Sequence, residues 1–200
     1  PHLFRTEFRK IAAVLNKHFG IEHIEAAEDI ASETFISAME TWSYKGIPDN
    51  PIAWLYAVAK NKARNYLTRN KVHHTKIEIL KHETLDKEVF DWSEQHIKDS
   101  QLQMLFAICN PVISSEAQIG LALRLLCGFG IEEIANAFLT NKETINKRLF
   151  RAREKLREER IAIELPDASV IPLRMENVLT TLYLLYSEGY YSESNEAVLR

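Results

Sequence analysis

The sequence predicts an all-α protein with two small helical domains, a linker that joins them and the start of a helical C-terminal extension. Apolar residues recur at helical spacing along almost the whole chain, and no stretch alternates for long enough to indicate a buried strand. Hydrophobic residues make up 46% of the 200 residues and charged residues 26%, a composition typical of globular proteins. The expected boundaries are 1–70 for the first domain, 71–100 for the linker, 101–160 for the second domain and 161–200 for the extension, which we expect to continue in a longer protein.

Two amphipathic helices are predicted before the turn "KGIPDNP". The first has an apolar stripe and ends at Gly20. The second has an apolar stripe and an acidic opposite face, with six acids and no Lys or Arg between residues 22 and 40. The stripes are Phe4, Phe8, Ile11 and Leu15 in the first helix, and Ala27, Ala31, Phe35, Ala38 and Trp42 in the second.

A third helix follows this turn. Asn50 has a side chain suited to capping a helix, and Pro51 fits the first helical position because its missing N–H costs nothing there. Helical spacing gives the third helix an apolar arc that includes Leu55 and Ala59. Lys62 falls toward this arc, so its aliphatic stem must carry the ammonium group outward to solvent.

The third helix carries an unopposed positive charge. From Lys60 to Lys76 there are six Lys or Arg residues and no Asp or Glu, although the formal net charge of the chain is -3. Solvated helix faces usually mix both signs, which allows pairing between residues four apart. This basic segment is therefore either the solvated face of a core helix or a surface for a polyanion.

Residues 71–100 show no clear period and are interpreted as a linker. Its histidines, at positions 73, 74 and 82, lack the HExxH or CxxC spacing of metal sites, so neither a metal nor a cofactor is expected. Cys109 and Cys127 lie in apolar helical patterns and are expected to be buried thiols.

The second domain is predicted to begin with two helices. The apolar stripe of the first consists of Leu102, Leu105, Phe106 and Cys109, and the sequence "NP" stops it. The motif "SEAQ" then predicts a capping box, in which Ser115 covers an early amide and Gln118 reaches back to the cap.

Residues 130–159 have the layout of a helix-turn-helix. Ala135 is small where two helices must approach closely, "LTN" forms the turn, and Thr140 with Glu143 is predicted to form a capping box. Leu139 stands at a turn position that often holds Gly in such motifs. A longer helix then buries Ile145, Leu149, Ala152 and Leu156.

The longer helix is strongly basic. Residues 141–160 contain eight Lys or Arg residues and four acids. Such a helix fits the major groove of DNA, where its early residues reach base edges and its later cations neutralise phosphates. The alternative is an arginine-rich surface hairpin without a ligand.

The composition and motifs argue against several other classes. No constellation of Ser/His/Asp, Cys/His or metal-spaced carboxylates converges, so an enzyme is disfavoured. No apolar run approaches the ~18 residues that a membrane span needs, and the N-terminal stretch lacks the apolar core of a secretion signal. A cytoplasmic location without a membrane segment is therefore expected.

Two motifs resemble bacterial sigma factors of the extracytoplasmic-function class. The stretches "IEEIANAF" and "KETINKRLFRAREKLR" are similar to sigma region four, which reads the minus thirty-five promoter element. The stretches "AEDIASETFISAMETW" and "PIAWLYAVAKNKARNYLTRNK" resemble region two. The stretch "RMENVLTTLYLLYSEGYYSE" is similar to the start of a helical C-terminal extension found in a subgroup. The resemblance implies an alternative sigma factor that binds core RNA polymerase and directs promoter-specific transcription initiation.

The resemblance also implies roles for three groups of residues. The docking group, for the β′ clamp helices of the polymerase, is Glu28, Asp29, Glu33 and Phe35. The minus-ten group is Lys60, Asn61, Lys62, Arg64, Asn65, Tyr66, Arg69 and Lys71, in which Tyr66 is equally compatible with a core position. The minus-thirty-five group is Lys142, Glu143, Thr144, Asn146, Lys147, Arg148, Arg151 and Arg153.

The implied partners are core RNA polymerase, through the β′ clamp helices and the β flap, and promoter DNA. Control by a separate inhibitory protein or by the C-terminal extension is compatible with the same resemblance, and simple packing is the alternative role for the extension. A free-standing helix-turn-helix regulator is the rival function. The acidic second helix separates the two functions, because a regulator has no need for a polymerase-docking face.

Overall fold

The computed structural model describes the backbone of residues 2–74 and 90–198, and the side chains of residues 3–4, 6–69 and 90–184. The described residues form eight α-helices, and no strand occurs among them, which confirms the all-α prediction. The helices are α1 (His2–Phe19), α2 (Ile24–Lys45), α3 (Pro51–His74), α4 (Glu94–Ile108), α5 (Ser115–Cys127), α6 (Ile131–Ala137), α7 (Lys142–Glu158) and α8 (Ile171–Val198), and a 3-10 turn lies at Ile21–His23.

The helices belong to two compact units. The first unit comprises Pro1–Phe19 and His23–Ser100, and the second comprises Gly20–Glu22 and Gln101–Arg200. In the first unit α1, α2 and α3 all contact one another. Large residues of α1, such as Ile11 and Leu15, are fully buried against a surface of α2 and α3 that is rich in alanine. Small side chains let the helices approach closely while the large ones fill the space between them.

A buried carboxylate ties α1 to α3. Glu7 is 2% exposed and accepts hydrogen bonds from the Tyr56 hydroxyl at 2.6 Å and from the Lys10 ammonium at 2.8 Å. Burial and the hydrogen bond to Glu7 raise the pKa of Tyr56 well above its usual range. The tyrosine therefore stays neutral and serves as a donor that satisfies a buried charge.

The predicted start of α3 is confirmed. Pro51 is the first helical residue, and the Asn50 side-chain oxygen accepts a hydrogen bond from the Ala53 amide at 3.0 Å. This bond satisfies one of the amides that lack an intrahelical partner at a helix start. The N-terminus of the basic helix is thereby fixed.

The first unit extends to Ser100, beyond the boundary predicted at residue 70. Phe90 and Ile97, both in the segment interpreted as a linker, are buried in its core, and Trp92 stacks on Tyr56 with a centroid distance of 4.7 Å. The apolar residues of this segment do not recur at regular helical spacing, so the sequence shows no helical period here. The remainder of the predicted linker, at 75–89, lies outside the described residues.

In the second unit α5 is the central helix. It contacts α6, α7 and α8, and its Leu121 and Leu125 are almost completely buried. Gly120 allows the closest approach to α7, because a Cβ at this position would lie 3.1 Å from Leu149 Cδ2. The residues predicted to be buried on α7 are all buried, whereas Leu102 of the predicted α4 stripe is 42% exposed. Cys109 and Cys127 are buried free thiols, as predicted.

Both predicted capping boxes of the second unit are wrong by one residue. Ser114, and not Ser115, accepts from the Ala117 amide, while Gln118 is buried and donates to the carbonyl oxygens of Asn110 and Ile113 at 2.9 Å. Asn141, and not Thr140, caps α7 and accepts from the Thr144 amide at 2.8 Å. In both cases two neighbouring residues have side chains capable of capping, so the local sequence does not distinguish between them.

The first turns of α8 pack against α5. Arg174 donates to the Phe106 carbonyl oxygen at 2.8 Å, and Asn177 donates to Gln118 Oε1 at 2.7 Å. Val178 and Thr181 are buried at this contact. The described part of the extension is thus a structural component of the second unit, which fits the packing alternative for this segment.

Candidate nucleic-acid interface

A continuous polar stripe runs along the exposed side of α3. Its members recur at intervals of three and four residues and therefore share one helix face. The stripe combines amides, which can hydrogen-bond base edges, with guanidinium groups, which suit phosphates. Its members are Asn61, Arg64, Asn65, Thr68 and Arg69, all of which are exposed.

The lysines predicted for the minus-ten group differ from this stripe. Lys60 and Lys62 are half-buried, and the side chain of Lys71 lies outside the described residues. The Lys62 ammonium lies 3.0 Å from Glu33 Oε2, on α2, so its stem does extend outward as the sequence predicted. Lys62 is therefore engaged with an acid of the predicted docking group.

Tyr66 is half-buried at the back of the stripe. Its hydroxyl lies 3.0 Å from His23 Nδ1, and its ring centroid lies 5.1 Å from that of Phe19. These contacts fit the core alternative for Tyr66, since both the ring and the hydroxyl already have partners. The base-contacting candidates of α3 are therefore the two exposed asparagines.

The start of α3 is supported by aromatic packing. Trp42 and Trp54 form an edge-to-face pair with a centroid distance of 5.5 Å. Beside this pair in the sequence, Tyr44 is 92% exposed and Ile47 is 73% exposed. The sequence interpretation did not include these two residues in any site. The only feature of the nearby sequence that could have indicated their exposure is their position just before the "PDNP" turn.

The docking group on α2 is only partly exposed. Asp29 and Glu33 are exposed and Glu28 is half-buried, but Phe35 is buried in the core of the first unit, where its centroid lies 4.8 Å from that of Phe4. Phe35 is therefore corrected from a docking residue to a core residue. The periodic stripe that includes Ala27 and Ala31 already placed it on the inner face of the helix.

Two other apolar residues take the outward position on α2. Ile36 is 49% exposed and Met39 is 67% exposed, and both follow Glu33 along one face at three-residue steps. The sequence interpretation missed them, although their spacing is offset from the buried stripe. The outer face of α2 thus combines acids with an apolar centre.

The exposed face of α7 carries the predicted groove-contacting residues. Glu143, Asn146, Lys147 and Arg151 are all exposed at helical spacing. Phe150 lies among them and is 61% exposed, and the sequence interpretation did not assign it a role. Single exposed apolar side chains are common on protein surfaces, so the exposure of Phe150 does not by itself assign it a role.

Several cations of α7 have partners inside the protein. Lys142 pairs with Glu132 of α6 at 2.9 Å, and Lys147 pairs with Glu143 at 2.6 Å. The Arg148 guanidinium lies over the Phe138 ring, 5.5 Å from its centroid, which fixes the two helices of the motif together. Thr144 and Arg153 are half-buried.

The turn between α6 and α7 is strained at one residue. Leu139 has a φ of 50°, in the left-handed region, and is 96% exposed. The Leu139 amide nevertheless donates to the Asn136 carbonyl oxygen at 3.1 Å, so the turn itself is well formed. Leucine is disfavoured there because its Cβ crowds the backbone, and glycine is not.

Leu139→Gly is expected to raise the free energy of unfolding of the second unit by about 0.5–1 kcal/mol, because the left-handed strain is relieved and almost no burial is lost. Urea unfolding monitored by circular dichroism measures the change. Leu179→Gly is the matched control, since Leu179 is 56% exposed within α8 and glycine should destabilise that helix. Destabilisation by both variants would contradict the strain at Leu139.

Comparison with known proteins gives three relatives of interest and one family match. Residues 3–72 match the family described as Sigma-70 region 2. An uncharacterized protein of Rhizobium meliloti (strain 1021) is 31% identical over 176 residues, covering 84% of this chain and 41% of that protein. The ECF RNA polymerase sigma-E factor of Haemophilus influenzae is 27% identical over 154 residues, covering 74% of this chain and 79% of that factor. The RNA polymerase sigma factor YlaC of Bacillus subtilis is 27% identical over 157 residues, covering 78% and 88% respectively.

No solved structure is a significant match. The chain spans less than half of the R. meliloti protein, at 41% of its length, but most of the two sigma factors. Among the described residues, no helix has the length and apolar character needed to cross a bilayer.

The fold and its exposed faces define a class of two-unit, all-helical proteins with a helix-turn-helix. Within that class, the region 2 match and the named relatives identify the family. Residues 3–72 belong to the Sigma-70 region 2 family, and the named relatives support an RNA polymerase sigma factor of the extracytoplasmic-function (ECF) type. The resemblance predicted from the sequence motifs is thereby confirmed at the level of the family.

Proposed function

We propose that this chain acts as an alternative sigma factor, which binds core RNA polymerase and directs it to specific promoters without a catalytic activity of its own. The observation that carries the proposal is the pair of exposed polar helix faces, one on α3 in the first unit and one on α7 in the second. The sigma factor relatives support the same function.

The outer face of α2 is proposed as the polymerase-docking surface. Asp29 and Glu33 provide negative charge around an apolar centre formed by Ile36 and Met39. This combination suits a basic coiled coil such as the β′ clamp helices, because charges steer the encounter and apolar contacts stabilise the complex.

The stripe on α3 is proposed to hold the opened strand of the minus-ten element. In this proposal the exposed Arg64 and Arg69 contact phosphates, and the exposed Asn61 and Asn65 hydrogen-bond an extruded base. Extruding a base costs a few kcal/mol, which hydrogen bonds and stacking in the protein can offset. Tyr66 and the tryptophan pair support the helix from behind.

The exposed face of α7 is proposed to enter the major groove at the minus thirty-five element. In this proposal the exposed Asn146, Lys147 and Arg151 contact base edges and phosphates, and the exposed Phe150 adds an apolar group that suits a thymine methyl. Arg148 contributes by holding the two helices of the motif together. Contact with the β flap and control through the extension or an inhibitory protein belong to the same proposal.

Run-off transcription with core polymerase on a genomic library tests the function. Transcripts from a defined set of start sites, absent without this protein, are the expected result. Equal start-site selectivity with and without the protein would overturn the proposal. Duplex binding without retention by core polymerase in a pull-down would favour the free-standing regulator instead.

Asn65→Ala is expected to reduce formation of open promoter complexes several-fold, because one hydrogen bond to an extruded base is worth about 1 kcal/mol. Permanganate reactivity of promoter thymines in the holoenzyme complex measures the opening. Duplex binding by the protein alone is the internal control and should not change. Equal thymine reactivity in wild-type and variant complexes would contradict the assignment of Asn65.

A further inference from the structure

One ion pair joins the two candidate surfaces of the first unit. The Lys62 ammonium of α3 donates to Glu33 Oε2 of α2 at 3.0 Å. The Lys62 side chain is 29% exposed and the Glu33 side chain is 60% exposed. Because Glu33 belongs to the acidic face and Lys62 to the basic segment, a single contact engages a charge from each surface.

The position of Lys62 on α3 allows it to change partners. Lys62 precedes Arg69 by seven residues, so it lies at the edge of the exposed stripe, on the side toward α2. Its four-carbon stem is flexible, and the ammonium can swing from Glu33 to a phosphate on the stripe by rotation of the side chain alone. While the ion pair is intact, however, a carboxylate 3.0 Å away offsets its charge.

We propose that Glu33 withholds Lys62 from single-stranded DNA in the free protein and releases it when a basic element of the polymerase engages Glu33. This inference rests on the proposed function, since it requires both surfaces to bind the partners named there. Whichever partner binds first breaks the ion pair, and the second partner then binds without that cost. Polymerase binding and strand binding therefore strengthen each other, and the coupling is reciprocal.

The size of the coupling follows from the exposure of the pair. Solvent-exposed ion pairs contribute little to stability, so the expected coupling is about two- to five-fold in affinity. Asp29 provides a matched comparison, because it is an exposed acid one turn earlier on the same helix and is not the partner of Lys62. Neutralising either acid removes one negative charge, but only neutralising Glu33 frees the lysine.

The test compares five proteins. They are wild type, Glu33→Gln, Asp29→Asn, the double variant Glu33→Gln with Lys62→Met, and Lys62→Met alone, which is the reference for the double variant. Fluorescence anisotropy measures the binding of each free protein to a single-stranded oligonucleotide that carries the non-template minus-ten sequence of a promoter found by run-off transcription. We expect Glu33→Gln to bind about two- to five-fold more tightly than wild type, with a clearly smaller gain for Asp29→Asn. The gain from Glu33→Gln should disappear in the Lys62→Met background.

Equal gains in oligonucleotide affinity for Glu33→Gln and Asp29→Asn would overturn the coupling. A gain in affinity from Glu33→Gln that persists in the Lys62→Met background would also overturn it, and so would a lack of any oligonucleotide binding by Glu33→Gln. Since both acid variants are isosteric and exposed, circular dichroism should show intact folding. When wild-type protein supports promoter-specific transcription but these results are negative, the coupling alone fails. Without promoter-specific transcription by the wild type, the proposed function fails and the coupling fails with it.

Discussion

Arg151→Ala is expected to weaken binding of promoter duplex by roughly 5- to 150-fold, which corresponds to the loss of about 1–3 kcal/mol from one bidentate base contact. Arg151 is exposed in the middle of the α7 face and forms no ion pair within the part of the chain that the structure describes. Its charge is thus available to DNA without the loss of an internal partner. Anisotropy with a labelled duplex over a range of salt concentrations measures the effect.

Salt dependence separates two kinds of contact at Arg151. If the guanidinium binds a phosphate, the variant should also lower the slope of log affinity against log salt by about 0.9. Arg160→Ala is the matched control, because it removes the same charge from an exposed residue past the end of α7. Equal affinities for the two variants would count against the assignment of the α7 face to the groove.

Leu121→Ala is expected to lower the free energy of unfolding of the second unit by about 2–5 kcal/mol. Leu121 is completely buried on α5, the helix that α6, α7 and α8 all contact, so its removal leaves a cavity that no single neighbour can fill. Leu179→Ala removes the same atoms from a residue that is 56% exposed and should change stability by less than about 0.5 kcal/mol.

The two units offer separate signals for this measurement. The three tryptophans of the sequence, at positions 42, 54 and 92, all lie in the first unit. Urea unfolding of the Leu121 variant should therefore shift the transition seen by circular dichroism while the transition seen by tryptophan fluorescence moves much less. A shift of equal size in both signals would show that the units do not unfold separately.

The elements with strong local signals could be predicted from the sequence. The Asn50 cap, the start of α3 at Pro51 and the buried positions of α7 depend on neighbouring residues and a regular period, and the structure confirms all three. One helix period also accounts for the polar stripe of α3, because it places Asn61 and Asn65 on one side of the helix.

Nonlocal packing decided the features that could not be predicted. Phe35 and Ile36 are adjacent and both apolar, and the packing of α1 selects Phe35 for the core. Phe90 and Trp92 return to the first unit after a long separation along the chain, and no periodic pattern marks them. Conversely, the local pattern gave no means of choosing Ser114 over Ser115 as the cap of α5.

The internal ion pairs of α7 affect how strongly its DNA affinity would depend on ionic strength. Lys142 and Lys147 already have carboxylate partners, at 2.9 Å and 2.6 Å. A phosphate that displaces Glu132 or Glu143 leaves the carboxylate to attract small cations from solution, so the net release of counterions is less than one for each such lysine. A count of the basic residues on this helix would therefore overestimate the ionic-strength dependence, and the residue that should contribute most fully is Arg151.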